Sequence, residues 1–266
     1  MKNPSKLKVH LVSRPTVHWT EVAAFLEEEG VPPIPDSIRA GKDDSAAIVE
    51  ISARLCYMSY GKGRKDIADF IHNLLEKGDG SVFEHVNYGF VITGVSRSLT
   101  HELVRHRAGF AYSQRSQRFV DESDSPFVLP PALIEGREGV DEARNILEKA
   151  VESANESYEQ LVDTLEKNLP TNLFPTMWDH RKAVRQAARA VLPNASETKI
   201  FVTANVRAWR HFIEMRGAAF ADWEIRNLAL AVLDVLRRED PLLFGDFEIQ
   251  DLPDGTRTAI PKYSKV

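Results

Sequence analysis

Residues 86–107 read VNYGFVITGVSRSLTHELVRHR, and the change of pattern inside this stretch decides the fold class. Val86 to Val95 alternates only loosely but is rich in β-branched and aromatic residues, which predicts a strand. From Ser96 the periodicity turns helical and continues to Arg107, with Ser96 placed to cap the first turn. Working outward, the upstream chain predicts a strand over Leu7 to Val12 and helices over Trp19 to Glu28, Asp44 to Met58 and Lys65 to Lys77. Gly78 ends the last of these, and Val31-Pro32-Pro33-Ile34-Pro35 reads as a rigid breaker. Downstream, Ala108 to Arg118 opens with a glycine and small residues, so a bend is expected there. A long amphipathic helix follows from Val140 to Asn168, stopping at Pro170, and another from Trp178 to Val191, before Pro193. Lys199 to Thr203 is a β-branched run suited to a strand. Val206 to Met215 and Trp223 to Arg238 read as helices separated by Gly217-Ala218-Ala219. Many helices and a few strands, far apart in sequence, describe an α+β fold with a small, mainly antiparallel sheet flanked by helices. With no repeat and no shift in composition, residues 1–266 are expected to form a single domain.

The chain has 266 residues, of which 43% are hydrophobic, enough for a sizeable core. No run of about 18 apolar residues occurs, so no membrane span is expected. The segment Met1 to Lys8 is polar, and one cysteine, Cys56, cannot make an internal disulfide, so a cytoplasmic location is expected. Cys56 lies among Leu55, Tyr57 and Met58 at helical spacing and is expected in the core rather than as a reactive thiolate. The formal net charge is −5. Proteins that bind nucleic-acid backbones usually carry a basic excess, so no nucleic-acid partner is expected.

Against that acidic balance one basic segment stands out. Between Leu103 and Val120 lie four arginines, one histidine and no acidic residue. Arginine forks match phosphate and carboxylate oxygens bidentately, and Ser113, Gln114, Ser116 and Gln117 add neutral donors and acceptors that suit a base edge. On a helix, Arg105 and His106 would project about 100° apart, gripping different ligands. Arg105-His106-Arg107 by itself reads more readily as a solvated helix end favoured by the dipole; the Ser/Gln/Arg run behind it shifts the reading toward a site for small phosphorylated ligands. Arg181, Arg185 and Arg210 are expected to pair with carboxylates of neighbouring helices. Arg189, among small and apolar neighbours, is expected to be buried against an anion.

Four blocks, in order, resemble the flavin-dependent thymidylate synthase family. They are Gly80-Ser81-Val82-Phe83-Glu84-His85, Arg105-His106-Arg107 with Ser116-Gln117-Arg118, Gln186 to Pro193, and Asn205 to Phe212 with Arg216 and Trp223-Glu224-Ile225-Arg226. The resemblance implies reductive methylation of dUMP to dTMP, with methylenetetrahydrofolate as carbon donor and FAD reduced by NADPH. It implies FAD binding by Ser81, Arg105, His106, Arg107, Gln114, Asn205, Arg207 and His211. It implies dUMP binding by Glu102, Gln114, Ser116, Arg118, Arg189 and Arg216, with Arg216 as the catalytic residue that favours loss of the uracil N3 proton. It implies a homotetramer with shared active sites, and no metal. The chain departs from the family pattern in having eight residues, not seven, between Arg107 and Ser116, and in Asp79 and Phe220 where histidines are common.

Overall fold

The computed structural model describes residues 4–32, 44–133, 139–253, 255–264 and 266. Pro33, Ile34 and Pro35 of the expected breaker lie outside the described residues. In chain order the elements are β1 (Lys8–Ser13), α1 (Trp19–Glu28), α2 (Asp44–Leu55), α3 (Ile67–Lys77), a 3-10 turn (Gly80–His85), β2 (Asn87–Ser96) and α4 (Arg97–Leu103). There follow β3 (Phe110–Gln114), α5 (Val140–Asn168), α6 (Met177–Ala188), a 3-10 turn (Arg189–Val191), β4 (Glu197–Asn205), α7 (Val206–Arg216), α8 (Trp223–Glu239), α9 (Pro241–Phe244), β5 (Phe247–Asp251) and β6 (Arg257–Pro261). One sheet has four strands in the order β1-β2-β4-β3, and β5 and β6 form an antiparallel hairpin pairing Phe247 with Pro261 through Asp251 with Arg257. The α+β class with a small, mainly antiparallel sheet and flanking helices is what the chain adopts.

Local chemistry places most helix starts. Ser96 accepts from the Leu99 amide at 3.0 Å, Asp66 from Asp69 at 2.9 Å, Thr176 from Asp179 at 3.1 Å and Asn205 from Ala208 at 2.8 Å. Each satisfies one amide that a first turn leaves without a partner. Asp66 is exposed and makes no buried contact that would confound its removal. Asp66→Ala is therefore expected to cost about 1 kcal/mol, read as a lower midpoint in urea with an unchanged slope. A midpoint equal to that of the parent would show that the cap contributes nothing.

β2 alternates poorly because it is buried on both faces: only Asn87 is exposed along its length. The helix expected over Ser96 to Arg107 ends instead at Leu103. The Val104 amide still reaches Thr100 at 3.0 Å, but the Arg105 amide reaches Glu102 at 3.3 Å, the tighter spacing of a closing turn. The Phe110 amide then bonds to the Arg107 carbonyl at 3.2 Å, with Gly109 at φ +75°, and β3 begins. The stretch expected only to bend thus holds a strand. Its ends are fixed by the Asn205 amide on the Gly109 carbonyl at 3.3 Å and the Arg115 amide on the Lys199 carbonyl at 2.9 Å.

The chain divides into two compact units. One comprises the described parts of Met1–Lys8, Ile92–Arg105 and Ser113–Phe201, and its core includes Val128, Val151, Tyr158, Val184 and Ala188. The other comprises the described parts of Val9–Val91, His106–Tyr112 and Val202–Val266. There Trp209, Phe90 and Phe212 are fully buried and meet edge to face, and the Trp209 ring nitrogen donates to the Tyr88 carbonyl at 3.2 Å. Each such side chain contributes about 1.5–3 kcal/mol by leaving water. Among the described residues no helix is long and apolar enough to cross a membrane.

Candidate active site

In the second unit, α7 carries three functional candidates on one side. Asn205 caps the helix, and Arg207 and His211 follow at helical spacing. These three line a cavity of about 250 Å³ together with Glu84, Ala108, Gly109 and Ala208. A Cβ on Gly109 would stand 2.7 Å from the side-chain Nδ2 of Asn205 and 2.9 Å from the Ala208 Cβ, and Gly109 has φ +75°, so only glycine keeps this wall in place. Glu84 forms an ion pair with Arg207 at 2.6 Å, both side chains roughly half exposed. A pair so exposed contributes about 0–1 kcal/mol, and an anionic ligand can compete for its arginine.

His106 and Arg216 meet directly. The Arg216 Nε donates to His106 Nε2 at 2.9 Å, so that nitrogen carries the lone pair and the neutral ring holds its proton on Nδ1. The imidazole also packs edge to face against Phe212, with centroids 5.3 Å apart, and lies 6.1 Å from the His211 ring. Its carbonyl accepts the Tyr112 hydroxyl at 2.6 Å, and burial pushes that hydroxyl's pKa well up. Ser81 is exposed on the 3-10 turn, and Arg107 is exposed beyond α4.

In the first unit, Gln114 turns inward and donates to Thr100 at 3.1 Å and Thr198 at 3.4 Å. Ser116 accepts from the Arg118 amide at 3.3 Å, and the Arg118 guanidinium lies over the Phe119 ring at 5.3 Å. Glu102 is half-buried on α4, and Arg105 is exposed past its end. Arg105, expected with the flavin set, thus belongs to the first unit, while Ser81, His106, Arg107, Asn205, Arg207, His211 and Arg216 belong to the second. The helical geometry that separated Arg105 from His106 by about 100° does not apply, because neither residue is helical.

Two expectations are corrected. Arg189 is exposed on the 3-10 turn after α6, not buried against an anion, because the small residues around it stay partly open. Cys56 is exposed one residue past α2, with its thiol 3.5 Å from the Ser52 carbonyl. The helix stops at Leu55, so the periodicity that put Cys56 in the core has ended. Arg210 does pair with a carboxylate, gripping Asp246 with its two terminal nitrogens at 2.6 and 2.8 Å, and Arg185 lies 3.8 Å from Asp121, but both partners stand in loops rather than on the neighbouring helices expected.

Sequence reasoning missed the residue that carries the Gln114–Arg118 run. Arg115 donates to Glu122 at 2.7 Å, to Ser125 at 2.9 Å and to the Glu197 carbonyl at 3.2 Å. Glu122 is completely buried, and Glu197 is 2% exposed and accepts from the Gly94 amide at 3.0 Å. Arg97 completes the group by donating to the Arg115 carbonyl at 2.8 Å. Burial lowers the pKa of its guanidinium; Glu122 opposes that shift, and Arg115 and Arg189 add to it. Glu84, quoted within a block but given no role, lines the cavity. No periodic signal separates Arg115 from its neighbours, since Glu122 and Ser125 stand in an irregular segment and Glu197 lies 82 residues away.

Comparison with known proteins gives the family. Residues 39–242 match a family described as thymidylate synthase complementing protein. A flavin-dependent thymidylate synthase of Mycobacteroides abscessus is 48% identical over 221 residues, 82% of this chain and 86% of the relative. That of Mycobacterium tuberculosis strain H37Rv is 42% identical over 262 residues, 97% of each chain. That of Mycobacterium sp. strain JLS is 46% identical over 224 residues, 82% and 85% respectively.

Proposed function

The chain belongs to the flavin-dependent thymidylate synthase family, and from that premise we propose that it methylates dUMP reductively to dTMP, drawing carbon from methylenetetrahydrofolate and electrons from NADPH. The observation that carries the reading is the bond between Arg216 and His106, which joins the residue proposed to act on uracil to one proposed to hold the flavin. In this reading residues 1–266 act as one catalytic domain, in the cytoplasm, as a homotetramer with shared active sites. The ligands are small anions, met by the arginines clustered between Leu103 and Val120 in a chain whose net charge is −5.

The residues present suit FAD. The cavity of about 250 Å³ is smaller than the roughly 300–1,000 Å³ usual for a whole drug-sized ligand, so it takes a portion of a dinucleotide. Its donors, Arg207, His211 and Asn205, fit the anionic portion. Arg105, Arg107, His106, Ser81 and Gln114 would hold the rest. When bound, FAD supplies the two-electron hydride chemistry that side chains lack. Arg118, Arg189, Ser116, Gln114 and Glu102 would bind dUMP, the arginines meeting its phosphate bidentately. Arg216 would stabilise negative charge as the uracil N3 proton leaves, a fixed cation costing no reorganisation. His106, with its lone pair on the Arg216 guanidinium, orients that cation.

Purified protein incubated with FAD tests the premise at once. A bound flavin that NADPH bleaches, and dTMP formed from dUMP only when methylenetetrahydrofolate is present, are the expected results. A protein that retains no flavin after gel filtration would overturn the proposal.

A further inference from the structure

The hairpin of β5 and β6 begins after residue 242, where the family match ends, yet it is bonded to the helix that ends at Arg216. Two positions on α7 and the residue that caps its end, spaced by four and three residues, reach the C-terminal segment. Arg210 grips Asp246 and donates to the Tyr263 carbonyl at 3.0 Å. Glu214 accepts the Ser264 hydroxyl. The carbonyl of Gly217, the residue next to Arg216, accepts two bonds from β6, the Ala259 amide and the Thr258 hydroxyl, both at 2.9 Å.

This contact is close. A Cβ on Gly217 would lie 2.5 Å from the Ile213 carbonyl oxygen and 3.1 Å from the Ala259 Cβ, so the strand sits directly on the helix terminus. Arg226, 1% exposed, extends the tie: it donates to the Ala219 carbonyl at 2.6 Å and to Thr256, just before β6, at 2.9 Å. Helix ends fray because their last carbonyls lack intrahelical partners. Arg216 occupies such an end, and the hairpin supplies partners there.

We propose that the β5–β6 hairpin is a positioning element for Arg216, holding the end of α7 so that the guanidinium keeps its bond to His106. The inference rests on the role given to Arg216 above. The hairpin touches no ligand in this account; it acts through the backbone of Gly217 and Ala219.

Flavin-loaded, full-length Thr258→Val, Thr258→Ser and Arg216→Ala test it together. Valine keeps the shape and removes the hydroxyl donor to Gly217. The expected result is a kcat for dTMP formation lowered about 3- to 10-fold in Thr258→Val, with KM for dUMP and bound-flavin absorbance unchanged. Thr258→Ser is expected to restore the parent kcat, which general loosening of the fold would not do. If Arg216→Ala is inactive while Thr258→Val turns over like the parent, or if serine does no better than valine, the positioning role is overturned. An active Arg216→Ala would overturn the underlying reading instead. Should Thr258→Val fail to fold, Thr256→Val, which removes the bond from Arg226 at a half-buried site, carries the same expectation and the same refutation.

Discussion

Replacing Arg216 by alanine is expected to lower dTMP formation by about 10²–10³-fold while the protein keeps its fold and its flavin. Arg216 is the last residue of α7 and half-buried, so its removal leaves no deep cavity. Alanine is the best helix former, and the Gly217 amide on the Ile213 carbonyl at 2.7 Å still closes the helix. What is lost is the cation, together with the partner that fixes the His106 tautomer. The loss should fall on kcat, because charge at uracil N3 develops only as the reaction proceeds. Arg216→Lys should be nearly as poor, since an ammonium cannot reproduce a planar Nε donor and a second charged face. Steady-state kinetics with a flavin absorbance spectrum decide it: turnover within about threefold of the parent would remove Arg216 from the chemistry.

The second large effect is on stability. Arg115→Met is expected to destabilise the protein by about 3–5 kcal/mol, because it strands buried carboxylates without their cation. Glu122 is fully buried and Glu197 is 2% exposed, so water cannot replace the guanidinium. The Tm should fall by about 10 °C for a chain of this size. Adding Glu122→Gln to the same chain should recover part of the loss, since a neutral amide tolerates burial far better than an orphaned carboxylate. The KM for dUMP should rise as well, because Arg115 anchors the run from Gln114 to Arg118 proposed to hold that ligand. A Tm shift of less than about 2 °C would show that the network carries no net stability.

Much of the proposed site comes from the sequence. By resemblance and order, the four blocks name Ser81, the Arg105–Arg107 triplet, Ser116 with Arg118, Arg189, Asn205, Arg207, His211 and Arg216. What could not be read was that Arg115 and Arg97 serve structure. Arg115 and Arg118 are both arginines in one short run, yet Arg115 turns to Glu122, Ser125 and Glu197 while Arg118 lies over Phe119. Arg97 carried no motif at all, and its place in the network depends on Arg115 and Glu122. Glu84 was visible as a letter in a block, but its role against Arg207 needs α7 brought to the 3-10 turn.

The division follows the range of the interactions. The sequence by itself determined the long helices and, to within two residues, the starts of α3, α4, α6 and α7, because the caps from Asp66 to Asp69, Ser96 to Leu99, Thr176 to Asp179 and Asn205 to Ala208 each span three residues. It also determined the family, because the blocks are matters of residue identity. Only the tertiary structure decided that α4 stops at Leu103, that β3 exists, and that Arg189 and Cys56 stand in solvent. Those outcomes depend on hydrogen bonds such as Asn205 to Gly109, and on burial by elements remote in the chain. The C-terminal hairpin is the clearest case. Its strands are ordinary in composition, and their bonds to the residue beside Arg216 come from positions about forty residues away, beyond the reach of any local pattern.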